Sequence, residues 1–566
     1  VLTQASRVKR GVAAQHPSKY VLDDRELERV GALARIELED ARVELQRAHE
    51  AAKTMGKGAE GMEADDVGND DGEDAWADGS EDDDVAMDDG DLSDQKPVKS
   101  KGDLSEYNLD EYDDEDVGGS TFGPFSSRKG LSFHRDNNED PYITLKEARI
   151  LQEREELQVF PTDNLLVAAK TEDEVSQLEI YVYDDSSENL YVHHDLMLPN
   201  FPLCLEWLDF PPVIPSSSSA PADEDAMDAF STPAREFGNY IAVGTLDPEI
   251  EIWSLDVVEA IYPDAVLGRP DRTAAHVPTP AGTGKKKRKK AKHRPVEAAH
   301  HVDAVLGLSW NKTARQLLAS ASADRTVKLW DLSRAGDAIR SYDVHRDKVQ
   351  AVQWNGPQDP TMLLTGSYDR TVRVFDSRAK DDVRGAMLGS DVEAVRWDPH
   401  DAFGFYVSLE NGIVLNFDTR TLASDLSNPR PPRFTLAAHD GATSSIDVNP
   451  YIPGCIVTGG TDKVVKIWNV TGGSDGKCDV SLVTSRDLGV GRVFTVTFSP
   501  DDPLTIAAAG SKAKLQIWDV GANSGARKTF APKLAAAGRA MREREGGGVV
   551  GVVDDAESSE GERDEE

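Results

Sequence analysis

Few residues of this chain have the types and spacings that chemistry needs. Gly472-Gly473-Ser474-Asp475-Gly476 fits the G-x-S-x-G pattern of an activated serine. That pattern works only where a tight strand-to-helix turn presents the serine, and no helical periodicity follows in this Gly/Ser-rich stretch. Gly282-Thr283-Gly284-Lys285-Lys286 is similar to the end of a phosphate-binding loop. Thr279, however, stands where the loop requires its first glycine, and Lys286 where it requires Ser or Thr. The pairs His193–His194 and His300–His301 invite a metal, but neighbours on a strand point to opposite faces. Cys204, Cys455 and Cys478 lack ligand spacing, fit a reducing compartment and disfavour a disulfide framework. Carboxylates abound, mostly in runs too mobile to form an acid/base pair of fixed geometry. The expectation is no catalytic, cofactor-binding or metal site, and no enzyme.

Three other histidines recur in a pattern that speaks of structure. His301, His345 and His439 precede the aromatic residues Trp330, Phe375 and Trp468 by 29, 30 and 29 residues. In each segment an aspartate (Asp324, Asp369 and Asp462) stands six residues before the aromatic. A buried His–Ser/Thr–Asp–Trp chain of hydrogen bonds would tie a loop to its strands, in the first copy through Ser320 or Ser322. Each bond is worth about 0.5–1.5 kcal/mol net.

The elements that must hold these residues are short strands. Val305, Leu306, Leu308 and Trp310, then Leu317–Ala319, then Val327 and Leu329 are apolar runs separated by turn residues such as SADRT. Trp330, Phe375, Phe417, Trp468 and Trp518 follow one another at 45, 42, 51 and 50 residues. Two degenerate copies precede them, ending at Trp253 and near Tyr183. A four-stranded sheet of about 40–45 residues cannot bury both faces alone, so the copies must stack radially. The expected fold is all-β, a seven-bladed propeller over 141–530 with insertions near 211–236 and 263–298. DPYITL, around Thr144, is the candidate N-terminal strand to complete the last blade.

Outside the repeats the composition changes. The 566 residues carry a net charge of −39, and 16 carboxylates with no Lys or Arg fall between Glu63 and Asp94. Such a run cannot bury enough apolar surface to offset its chain entropy. Residues 1–140 therefore form an N-terminal extension with a disordered acidic region at about 60–118, and 531–566 form an acidic disordered tail. Leu27, Val30, Ala34, Leu38, Ala41, Leu45, Ala48 and Ala52 draw one stripe on a short helix at about 23–52, suited to docking a partner. No apolar run reaches the roughly 18 residues of a membrane span, and the N-terminal stretch lacks the apolar region of a secretory signal.

One block has the opposite sign. Lys285, Lys286, Lys287, Arg288, Lys289, Lys290, Lys292 and Arg294 place eight cations in ten residues. Such a run serves as a nuclear import signal, a phosphate contact, or both. Binding of naked RNA by the whole molecule is disfavoured by its mean negative field. Ser80, Ser93 and Ser559 sit among acids as candidate phosphorylation sites.

The repeats resemble the WD-repeat family. The segments between them (LSEYNLDEYDDED, NEDPYITL, LEIYVYDD, LYVHHDLMLPNFPLCLEWLDF, NYIAVGTLDPEIEIWSLD and GVAAQHPSKYVLDDRELERV) resemble its ribosome assembly factors more narrowly. The resemblance implies a nucleolar scaffold for the large (60S) subunit. Its partners would be ribosome assembly factors and the pre-60S particle, with local pre-rRNA contact, no cofactor and no membrane, the protein itself monomeric within a larger complex. A chromatin propeller whose acidic tails bind histones is the alternative. Blade five lacks the histidine and has Asn411 at the turn, and blade seven has Lys512 there, so both lose part of the bonded chain.

Overall fold

In a computed structural model of the chain, Gln152 and residues 2–20, 154–212, 237–269, 296–427, 430–472, 478–541 and 548–552 are described, apart from breaks at 174, 335, 357 and 380–381. The expected helix at 23–52, the acidic region at 60–118, DPYITL, residues 213–236, the cations at 285–294 and Ser80, Ser93 and Ser559 lie outside the described residues.

Seven four-stranded antiparallel sheets form the blades of a propeller. Blade three shows why the sequence folds this way. Its strands Val305–Trp310, Leu317–Ser322, Val327–Asp331 and Arg340–Tyr342 run in order from the axis outward. The second strand, LLASAS, carries no charge and is buried from Leu318 onward because blades cover both its faces. Blades four and five repeat the plan from Val349–Asn355 to Phe434–Ala437, and blade six spans Ser445–Val448 to Cys478–Asp487. Blade two opens at Pro202–Leu208 and ends at Ala265–Leu267. Close approach between blades needs glycine in places: a Cβ on Gly366 would lie 2.4 Å from Val392 Cγ1, and one on Gly459 2.6 Å from Val493 Cγ1.

The ring closes differently from the expectation. The innermost strand of blade one is Leu2–Arg7, paired antiparallel with Asn164–Glu172 across more than 150 intervening residues. Blade seven takes its outermost strand, Val549–Gly551, from what reads as the acidic tail. The propeller thus extends beyond 141–530 at both ends, and residues 1–20 belong to the same compact unit as 145–566. The physical reason is that LTQASR lacks the apolar alternation and the closing aromatic of innermost strands such as VLGLSW and VEAVRW, so it passes for a tail. VVGVV, a short β-branched run behind glycines, was outweighed by the acids after it. Ala5 seals the join, packing with Leu166 and Ala168 of blade one and Ala507 and Ala509 of blade seven.

Past the strand, the chain straps one end of blade one. Arg10 donates to Asn164 Oδ1 at 2.7 Å and to Asp502 Oδ2 of blade seven at 2.9 Å. Ser18–Lys19 then pairs in parallel with Val257–Val258 of blade two. At the other terminus, helix Ser524–Ala536 is capped by Asn523, which accepts from Gly525 N and Ala526 N, and buries Ala526, Phe530 and Leu534 at four-residue spacing. Among the described residues no helix is long and apolar enough to cross a membrane.

Polar clasps join the innermost strands at one register. Glu206 accepts from Trp310 N (3.0 Å), Ser309 from Trp354 N (3.2 Å), Gln353 from Trp397 N (2.6 Å) and Asp447 from Phe498 N (2.8 Å). Arg396 bridges blades five and six through Ile446 O at 3.1 Å. The next position outward holds Trp207, Trp310, Trp354 and Trp397 in blades two to five. In blade one it holds Arg7. That guanidinium is buried with Nε and Nη2 unpartnered, and burial pushes it down to about 10 against the pull of Asp447 and Asp502.

Candidate functional site

The repeated histidines meet the residues their spacing assigns. In blade three, Trp330 Nε1 lies 2.8 Å from Ser320 Oγ, which lies 2.6 Å from His301 Nε2. His301 Nδ1 lies 2.9 Å from Asp324 Oδ2. An indole can only donate, so the serine proton goes to Nε2 and the histidine proton sits on Nδ1 facing the carboxylate. Blade six repeats the chain, Trp468 to Thr458 at 2.9 Å, Thr458 to His439 at 2.8 Å and His439 to Asp462 at 3.0 Å. In blade four Phe375 has no proton to give. The chain there runs from Thr365 through His345 (2.8 Å) to Asp369 (3.2 Å).

This is the connectivity of a serine-hydrolase triad, but no substrate can reach it. His301, Ser320 and Trp330 have no exposed surface, and the serine oxygen already accepts from the indole. Burial pulls His301 and His439 below the usual histidine range despite their aspartates, which favours the neutral ring. Burial alone would raise Asp324, but bonds from His301 and Thr326 outweigh it and hold the carboxyl well below its ordinary range. The array fixes a turn: Asp324 accepts from Val302 N and Thr326 N, and Arg325 then takes φ of 72°. Arg370 and Lys463 hold the same left-handed position, and blade five fills it with Gly412 beside Asn411.

Blades without the histidine lack the hydroxyl too. Ala168, Val243, Val407 and Ala508 occupy the register of Ser320. Trp518 is buried in blade seven, with Ala508 where its acceptor would be. Blades one and two use a device the sequence reading missed. Trp253 Nε1 donates to Glu251 Oε2 at 3.0 Å, and Tyr181 donates to Glu179. The signal was there as E-I-W and E-I-Y, a carboxylate two residues before the aromatic on the same face of the strand. The register also makes Tyr181, rather than Tyr183, the counterpart of Trp330. A second tryptophan series was likewise overlooked, with Trp310, Trp354 and Trp397 spaced 44 and 43 residues apart.

Glu251 gives a prediction. Burial, with Glu249 and Asp247 adding to it, pushes its carboxyl up to about 7. A group raised in the fold adds stability below its unfolded pKa and loses it as pH rises through the folded value. Glu251→Gln keeps the acceptor for Trp253 and removes the charge. It should gain up to about 3 kcal/mol at pH 8 and nothing below about pH 4.5, measured by urea unfolding across pH.

The flanks of the cationic segment are described although the cations are not. They lie at the outer rim between blades two and three, where Gly268 N donates to Gly336 O at 2.9 Å and Ala338 N to Ala299 O at 2.7 Å.

The WD domain, G-beta repeat family matches residues 295–331, 336–376 and 430–469, which hold the three blades with the full histidine–aspartate chain. Relatives extend the likeness to the whole protein. An uncharacterized WD repeat-containing protein of Schizosaccharomyces pombe is 39% identical over 94% of this chain and 92% of its own length. Periodic tryptophan protein 1 of Saccharomyces cerevisiae is 36% identical over 94% of this chain and 90% of its own. The periodic tryptophan protein 1 homolog of Drosophila melanogaster is 30% identical over 67% and 72%. A rigid ring whose histidines, aspartates and tryptophans are spent on holding its loops is a WD-repeat scaffold for protein contacts. By the likeness over nearly its full length, the chain belongs to the periodic tryptophan protein 1 family.

Proposed function

We propose that the protein is a non-enzymatic scaffold of ribosome biogenesis. It acts in the nucleus and nucleolus, on precursors of the large (60S) subunit and in rRNA processing. It works by protein–protein and pre-rRNA contacts, bound as a monomer within the larger particle. The observation that carries the reading is the match to periodic tryptophan protein 1 over 94% of the chain, because it takes in the segments between the repeats as well as the repeats themselves. Lys285–Lys290, Lys292 and Arg294 supply the import signal and a local grip on phosphate. Phosphate on Ser80, Ser93 or Ser559 would add about −1.5 to −2 charges each to acidic stretches, tuning partner affinity.

Affinity purification with and without RNase tests this. Large-subunit precursor RNA and assembly factors should dominate, and the assembly factors should remain after RNase. Recovery of mainly core histones would replace the reading with the chromatin one. Replacing the eight cations by Gln should weaken nuclear accumulation or precursor association and leave the melting temperature unchanged.

A further inference from the structure

The outermost strands of the blades differ in length. Blades two to five and seven end in strands of three or four residues. Blades one and six end in strands of ten, Asn189–Leu198 and Cys478–Asp487. A long outer edge offers a row of unpaired backbone groups, which proteins ordinarily shorten, charge or cover. Blade six covers its edge: the C-terminal helix lies against it, with Asn523 Nδ2 donating to Thr484 Oγ1 at 3.3 Å, and Arg486 and Asp487 end the strand.

Blade one does less: among the described residues Asp195 is the one carboxylate of the strand, and no helix is bonded along it. Its edge strand, NLYVHHDLML, contains no Lys, Arg or Pro and exposes Tyr191 (37%), Val192 (41%) and Met197 (56%). Val175, 53% exposed, opens the neighbouring strand. Among the described residues, the strand's side-chain bond to another element is that of His193 to Leu157 O, 2.9 Å, at the bulge opposite Ile180 and Tyr181. That bond leaves Asn189–Val192 and His194–Leu198 on either side. The chain to either side of the strand is of one sign. No Lys or Arg occurs between Lys170 and Arg235, and Lys170 is itself paired with Glu179 at 3.0 Å. Glu172, Asp173 and Asp195 are exposed around the strand.

From length, bareness and charge together we infer that the edge of blade one is a docking site. Its occupant is an extended segment of a partner protein, alternating apolar and basic residues, that adds as a fifth strand. Backbone bonding supplies affinity, Val192 and Met197, brought to one face by the bulge between them, receive alternate apolar side chains, and the carboxylates select cations. A phosphate-bearing nucleic acid would meet the wrong charge here.

The test must separate strand pairing from plain attraction, since the acidic runs of the chain attract any cation. Amide hydrogen exchange of the full chain is followed with a capped ten-residue peptide alternating lysine and valine. The comparison peptide has the same sequence with every backbone nitrogen methylated, with equal charge but no amide to donate to either side. Amides across 189–198 should slow about ten-fold with the first peptide and be unchanged with the second. The double variant Val192→Lys, Met197→Lys, both at exposed positions on one face, should melt like the unsubstituted protein and lose the protection. Equal slowing by both peptides, slowing by neither, or full protection of these amides in the peptide-free chain would each overturn the assignment.

Discussion

A chain lacking residues 1–20 should fail to unfold as one cooperative ring. The segment supplies the innermost strand of blade one, five register pairs with Asn164–Glu172, and it makes the join to blade seven. Without it, the faces of Leu166 and Ala168 on one side and Ala507 and Ala509 on the other lose the cover of Ala5. The Arg10 bridge between Asn164 and Asp502 also goes. The polar clasps of the other blades do not compensate, because they run from blade two to blade seven and no further. A propeller cannot lose one inner strand locally, since every blade borrows its second face from a neighbour. The expected loss exceeds about 5 kcal/mol, which for a ring of this size means a fall of more than about 6 °C in melting temperature, or no folded state. Circular dichroism melts of the truncated and full chains measure it. A peptide of residues 1–20 added in excess should restore part of the loss by mass action. A truncated chain that melts like the full one would show that the strand is ornamental.

That strand marks where legibility in the sequence ends. Blades three, four and six could be read because they carry a redundant code. An apolar alternation, a turn aspartate, a histidine and a closing aromatic all point to one register, and consistency across levels is what identifies a fold. Leu2–Arg7 carries none of that code. It pairs with residues over 150 positions away, and no local pattern encodes a contact so distant. Val549–Gly551 is hidden for a related reason, since a three-residue strand is too short to show a period.

Polar partners follow the same logic. Ser320 could be named as one of two candidates because His301, Asp324 and Trp330 bracket it, and the register decides for Ser320. Glu251 and Glu179 escaped because a carboxylate on a strand reads as a solvated residue until its burial is known. Arg7 escaped twice over, as a basic residue near a terminus and as the occupant of a tryptophan's place. The exposed edge of blade one was also invisible, because Tyr191, Val192 and Met197 read as ordinary strand residues whether or not another strand lies beyond them.

Trp330→Ala should be among the most damaging single substitutions in the ring, with Trp330→Phe far milder. The side chain has no exposed surface, and it packs with Leu308, Trp310 and Leu318 in the cluster between blades two and three. Truncating a buried tryptophan costs about 3–5 kcal/mol. Phenylalanine keeps a six-membered ring, as Phe375 does in blade four, and loses the bond to Ser320, about 1 kcal/mol, together with the packing of the second ring. His301→Gln probes the rest of the chain of bonds and adds a pH signature. His301 is held below the unfolded histidine value, so its contribution is complete above about pH 6.5 and is lost as pH falls below that, because the unfolded chain takes up a proton the folded one refuses. Asp324, held low in its turn, adds a further loss only below about pH 4. The stability difference between H301Q and the unsubstituted protein should therefore narrow between pH 7.5 and pH 5.5, measured by urea unfolding at each pH. In the same window Glu251 works in the opposite direction, which is why the difference between two proteins, and not the slope of either, isolates the histidine. A gap that stays constant would mean that the fold does not hold His301 low, and one that widens as pH falls would mean that His301 is protonated in the fold, with the bond between Ser320 and its Nε2 reversed.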